Sequence, residues 1–253
     1  MTEDWIITKK KNLKFKSPVF IEGLPGLGNV GKIVADFMVE ELKATKVVDV
    51  FSYTLPNSVF VNEENLVDLP KIEIYHKKLG KQDFLFLTGD IQPTDEYSSY
   101  TFCETILDLC EEFKCKEILT LSGIGLEDVP EKPKVYCTGN NKKFIESFKE
   151  FKANTKVYGR VGPIIGVSGL LVGLSAKRNI KSVALLAETF GHPMYIGIKG
   201  AKSLLNLLNK KYGFDLSLRK INRDIRKIDE EDGKDRKAQA GQFLQSKDAS
   251  YIG

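Results

Sequence analysis

Gly26, Gly28 and Gly31 stand in the order G-x-G-x-x-G, with Asn29 between the last two. Glycines at that spacing let backbone N–H groups close on a phosphate or pyrophosphate, while the helix that follows turns its positive end toward the anion. Pro18 to Glu22 reads as the strand before the loop. Ile33, Val34, Phe37, Met38 and Leu42 recur at helical spacing after it, and Asn29 is the expected N-cap. Two details depart from a dinucleotide site. Leu24-Pro25 lengthens a turn that should be tight. Asp49 lies between Val48 and Val50, mid-strand, where a ribose-binding carboxylate belongs at a strand end. Gly26 to Lys32 also spells G-x-x-x-x-G-K, but Ile33 stands where a P-loop needs a hydroxyl for magnesium. The leading reading is a strand-to-helix turn whose glycines allow close packing. An anion or small-ligand loop and a dinucleotide site are the alternatives.

Other residues capable of chemistry are sparse. Glu188 and His192 fall in an expected loop after a buried strand, the place where open α/β sheets bind ligands, and together they form a candidate acid/base pair. A loop-fixing hydrogen-bond cluster is the plainer reading. His76, between Tyr75 and Lys77, is expected to be exposed. Ser168 lies in Gly166-Val-Ser-Gly-Leu170, which lacks the second glycine of a nucleophile elbow. Cys103, Cys110, Cys115 and Cys137 show no CxxC spacing and accompany only 2 histidines, so reduced, buried thiols and no metal are expected.

The elements that must position these groups follow from the pattern of apolar residues. Of 253 residues, 42% are hydrophobic, enough for one substantial core. With 38 basic residues against 34 acidic ones, the net charge of +4 is no nucleic-acid signature. No apolar run is long enough to span a membrane, and acidic Glu3 and Asp4 stand where a signal peptide would be basic, so a cytoplasmic protein is expected. Strands are expected at 5–8, 18–22, 46–51, 59–61, 72–75, 83–87, 117–121, 134–137 and 182–187. The strand at 117–121 should break at Ser122-Gly-Ile-Gly125. Helices are expected after the glycine loop, from Pro93 onward, and at 142–151, 168–177, 198–211 and 217–231. Solid apolar strands alternating with helices imply an α/β fold: a central, mainly parallel twisted sheet flanked by helices, extended by an antiparallel hairpin within 47–75. One domain is expected over 1–215, a charged helical extension over 216–232 and a flexible C-terminal tail over 233–253.

Three blocks carry a resemblance: Gly23-Leu-Pro-Gly-Leu-Gly-Asn-Val-Gly-Lys-Ile-Val-Ala-Asp36, Gly162-Pro-Ile-Ile-Gly-Val-Ser-Gly-Leu-Leu171 and Leu186-Ala-Glu-Thr-Phe-Gly-His-Pro193. Together they resemble the PAC2 family, the relatives of proteasome assembly chaperone 2, and its archaeal members most. The resemblance implies a phosphorylase-like α/β fold, no enzymatic activity and no cofactor. It also implies homo-oligomers and an ATP-independent role at the 20S proteasome. Archaeal members can end in a hydrophobic–Tyr–any-residue tail that docks between proteasome α-subunits.

The end of this chain is Ser250-Tyr251-Ile252-Gly253, so Tyr251 is third from the end and Ser250 precedes it. Tyr251, Ile252 and Gly253 are the candidate partner-binding residues, with the terminal carboxylate as a second handle. A flexible span of about 18 residues reaches about 21–25 Å, and several tails on one oligomer would bind with avidity. The function expected is therefore a non-enzymatic proteasome assembly chaperone or adaptor that binds α-subunits through an oligomeric body and its tail, without nucleic acid or membrane. The alternative is a phosphate- or nucleoside-binding enzyme of phosphorylase type, with Gly26, Gly28, Asn29 and Gly31 as its anion loop and Glu188 and His192 nearby.

Overall fold

The structure is a computed structural model and describes residues 5–159 and 161–228. Residues through Leu216 form one compact unit. Its centre is an eight-stranded sheet of the α/β class, flanked by helices. Four strands at the middle run parallel: β2 (Val19–Glu22), β7 (Gln82–Gly89), β8 (Glu117–Leu126) and β10 (Lys181–Phe190). Antiparallel strands extend them on both sides: β1 (Ile6–Lys9), β3 (Thr45–Phe51) and β6 (Ile72–Leu79) beyond β7, and β9 (Val135–Gly139) beyond β10. The full order is β1-β3-β6-β7-β2-β8-β10-β9. The parallel strands are buried on both faces, which is why they read as unbroken apolar runs.

Two pairs of helices cover the sheet. α1 (Val30–Glu41) packs with α5 (Ile198–Tyr212), and α2 (Glu96–Glu112) packs with α4 (Val167–Ser175). α2 begins where Asp95 accepts a hydrogen bond from Ser98 N at 2.9 Å, a side-chain cap. Trp5 anchors β1 to this layer: its Nε1 donates to Thr101 Oγ1 at 3.0 Å, and its ring lies 4.8 Å from that of Phe102. α3 (Lys142–Glu146) and a 3-10 turn at Lys149–Phe151 share the stretch expected as one short helix.

Two expectations need correction, and a third is met by other strand partners. β8 does not break at Ser122. It continues to Leu126 because β10 runs beside it through Phe190, pairing Leu186 with Ser122 and Phe190 with Leu126. For the same reason Glu188, expected in a loop, is a strand residue. The antiparallel extension of the sheet is β3 with β6. The hairpin between them, β4 (Phe60–Val61) and β5 (Val67–Asp68), forms a separate two-stranded ribbon.

Beyond Leu216, residues 219–228 are helical, within the expected charged extension. Residues 229–232 of that extension, the expected tail at 233–253, and Tyr251, Ile252 and Gly253 lie outside the described residues.

Candidate functional site

The chain leaves β2 through α1 toward β3 on one side and leaves β8 toward β9 and β10 on the other, so the winding reverses between two neighbouring strands. Open α/β sheets form their ligand crevice at such a point, outside the carboxyl ends of the strands. A cavity of about 390 Å³ lies there, walled by Pro25, Gln92, Ser122, Ile124, Ile164 and Ser168 among others. Gln92 Nε2 donates to Pro25 O at 2.6 Å and ties the loop after β7 to the glycine loop. Among the described residues, no side chain lining this cavity is charged.

Beneath Ser168 lies a group that the sequence pattern did not mark. Glu22, the last residue of β2, is fully buried. Its Oε1 accepts from Leu24 N at 2.9 Å, and its Oε2 accepts from Ser168 Oγ at 2.9 Å. Burial pushes its carboxyl up to about 7, against the opposing pull of the bonds from Leu24 and Ser168. The only signal in the sequence is an acid closing an apolar strand ahead of Gly-Leu-Pro, which does not separate a buried carboxyl from an exposed one. Ser168 Oγ donates to this acid, and no imidazole partners it among the described residues.

The glycine loop is shaped by packing. A Cβ on Gly31 would sit 2.1 Å from Leu121 O, and one on Gly23 would sit 2.2 Å from Gly31 O. Gly28 adopts φ +60, and its carbonyl accepts from Gly197 N at 2.7 Å. Asn29 is at the N-cap position, but with left-handed backbone and no side-chain cap bond; its N–H is bonded to Gly26 O at 2.8 Å. Gly26 alone has open space around it, its nearest prospective neighbour being Ser122 Oγ at 3.9 Å. Lys32 pairs with Asp36 at 2.9 Å, and Asp49 pairs with Lys46 within the sheet.

Glu188 and His192 are not brought together. Glu188 Oε2 accepts from Lys134 N and its Oε1 from Tyr136 Oη, each at 2.9 Å, so it fixes β9 to β10. His192 is exposed and stacks on Phe190 with the ring planes 11° apart. His76 is half-buried rather than exposed, with Nε2 2.8 Å from Asp83 Oδ1. All four cysteines are buried free thiols. Among the described residues, no group of His, Cys, Asp and Glu could hold a metal ion, and no helix is long and apolar enough to cross a membrane.

The same edge of the sheet carries an exposed apolar surface. β6 begins beside the end of β7, with Ile72 opposite Gly89, so the segment from 52 to 71 projects from the edge that holds the cavity. Tyr53, Val59, Val61, Leu66, Val67 and Leu69 on that segment are exposed, as are Tyr100 on α2 after β7, Ile165 at the cavity, and Met194 and Ile196 after β10. Monomers seldom leave this much apolar area in one region, and such surfaces mark contacts with other proteins.

The PAC2 family model matches residues 20–232. The chain belongs to the PAC2 family. A protein from Methanocaldococcus jannaschii is 28% identical over 220 residues, spanning 86% of this chain and 83% of that protein. Among solved structures, Pyrococcus furiosus PbaB, described as an archaeal proteasome activator, is similar with TM-score 0.86 and 28% identity, over 93% of this chain and 100% of PbaB. Pyrococcus furiosus PbaA, described as an archaeal homolog of proteasome-assembly chaperone, shares the fold with TM-score 0.78 at 21% identity, over 99% of this chain and 100% of its own. The three sequence blocks that carried the resemblance all contribute to the cavity wall: the first through Pro25 and Gly26, the second through Ile165 and Ser168, the third through Leu186.

Proposed function

We propose that this PAC2 protein is a non-enzymatic, ATP-independent chaperone or adaptor of the 20S proteasome. It acts in the cytoplasm as a homo-oligomer. Its body and its last residues, Tyr251, Ile252 and Gly253, engage proteasome α-subunits. The near-complete match to PbaB carries this reading, since the two chains share fold and length as well as more than a quarter of their residues. The exposed apolar edge supports it in physical terms, because a surface of that kind is suited to gripping a macromolecule.

The test is capture on immobilised archaeal α-subunit rings, with the full chain and a variant lacking residues 250–253. The full chain is retained, and the deletion weakens retention by at least about ten-fold through lost avidity. Equal retention of both would overturn the role of the tail. No retention of the full chain would overturn the function.

The phosphorylase-type alternative has less support. The residues offered for its acid/base pair are engaged elsewhere, Gly28 and Gly31 are closed in by packing with Gly26 alone left open, and the cavity wall holds no described cation for phosphate. Thermal melts with phosphate, adenosine or NAD are expected to show no shift. A rise in Tm that grows with the concentration of one of them would restore that alternative.

A further inference from the structure

The segment from Tyr53 to Leu69 is an arm rather than a floppy loop. Its tip is built by polar chemistry: Asn62 Oδ1 accepts from Glu64 N and Leu66 N, each at 3.0 Å, and Asn62 N donates to Leu66 O at 2.9 Å. Its root is fixed by buried Leu55 and Pro70. Val61, Leu66 and Val67 stay exposed between root and tip, and Tyr53 is 88% exposed with its ring meeting Phe51 edge-on at 5.3 Å. An isolated two-stranded ribbon is marginal in water without a surface to cover it.

We propose that this arm seats on the apolar edge of a second copy of the chain, around Ile165 and Met194, so that the arms of two copies exchange. The inference rests on the proposed function only in taking the protein to be a homo-oligomer, and it names the surface. Area is the first argument. The exposed parts of the arm's apolar side chains amount to roughly 700 Å², close to the 800 Å² or so that each partner brings to a standard interface. Self-complementarity is the second. Ile165 and Met194 are 89% and 84% exposed at the same edge, so one chain carries both an unburied apolar arm and an unburied apolar seat. Reciprocal exchange about a two-fold axis covers both at once, which a one-sided partner would not do. Charge is the third. Glu63 and Glu64 occupy the arm's exposed tip, and exchange in opposite directions carries the two acidic tips to opposite ends of the contact.

The test is the mass in solution, by light scattering after gel filtration, of the full chain and of two variants: Val61→Glu with Val67→Glu on the arm, and Ile165→Glu with Met194→Glu on the seat. All substituted positions are solvent-facing, and an unchanged far-UV spectrum checks the fold. Wild-type protein is expected to run as an oligomer, and each variant at half that mass or less. A monomeric wild type, or either variant keeping the wild-type mass, would overturn the exchange. If the arm variant keeps its mass but is no longer captured on α-subunit rings, the arm is a proteasome contact instead. If masses fall as expected while no form binds the rings, the exchange stands and the proteasome reading fails.

Discussion

Ser168 Oγ lies 2.9 Å from Glu22 Oε2, joining the start of α4 to the end of the central strand β2 across 146 residues of sequence. The bond holds a carboxyl beneath Ser168, out of the cavity lining, where burial raises it from 4.5 to about 7. A carboxyl with a raised folded pKa binds its proton more tightly in the native state. The stability it supports is therefore complete below about 4.5 and declines as pH rises toward about 7, by up to about 3 kcal/mol. Glu22→Gln removes the titration. Its Tm relative to wild type is expected to climb between pH 4.5 and 7 and then level off. Ser168→Ala, which deletes a bond favouring the charged form, moves that window upward. A difference between Glu22→Gln and wild type that stays constant with pH would contradict the assignment.

The glycine loop offers a contrast between two positions a few residues apart. Gly31→Ala puts a methyl into the Leu121 carbonyl, and neither backbone can yield without separating α1 from β8. A loss of more than about 3 kcal/mol in denaturant unfolding is expected. Gly26 has extended backbone, with φ −164, and open space, so Gly26→Ala changes stability by no more than about 0.5 kcal/mol. Equal costs at both positions would mean that packing does not account for the motif.

Much of the sheet was legible because its strands are buried on both faces. The apolar run at 83–87 lies within β7 and the one at 182–187 within β10, in solid blocks that periodicity cannot blur. Strand ends were less legible. Glycine and serine at 122–125 look like a break, yet Gly123 sits where a Cβ would lie 2.5 Å from Leu27 O, so the strand uses its glycines to let the glycine loop close over it. The Glu188–His192 pairing failed because sequence proximity hides strand alternation: Glu188 faces Tyr136 on β9, and His192 lies beyond the strand's end. Glu22 was invisible because its environment is made by α4, a segment remote in sequence. The apolar arm read only as a short strand, since exposure is a property of what fails to pack.

The thiols give a chemical check on the core. Burial pushes Cys137 up to about 12 and raises Cys103 and Cys110 as well. Thiolate is the reactive form, so native protein should show no fast reaction with Ellman's reagent at pH 8. All 4 cysteines should react once denaturant unfolds the chain. One thiol reacting within seconds in the native state would reveal an opening of α2, of the turn between α2 and β8, or of β9.

Arg178, in the 3-10 turn after α4, reaches three carboxylates on α2. Its Nη1 is 2.6 Å from Asp108 Oδ1 and 2.7 Å from Glu111 Oε2, and its Nη2 pairs with Glu104. The three acids lie on one face of α2, at spacings of four and three, and repel one another when the guanidinium is gone. Arg178→Ala is expected to lower stability by about 1–2 kcal/mol at low ionic strength, since the acids remain partly solvated. Added salt should shrink the deficit by screening that repulsion. Arg178→Lys should recover only part of it, because an ammonium cannot serve three carboxylates through a planar fork. Denaturant titrations at low and high sodium chloride measure this directly, and a deficit indifferent to salt would assign Arg178 a packing role in place of an electrostatic one.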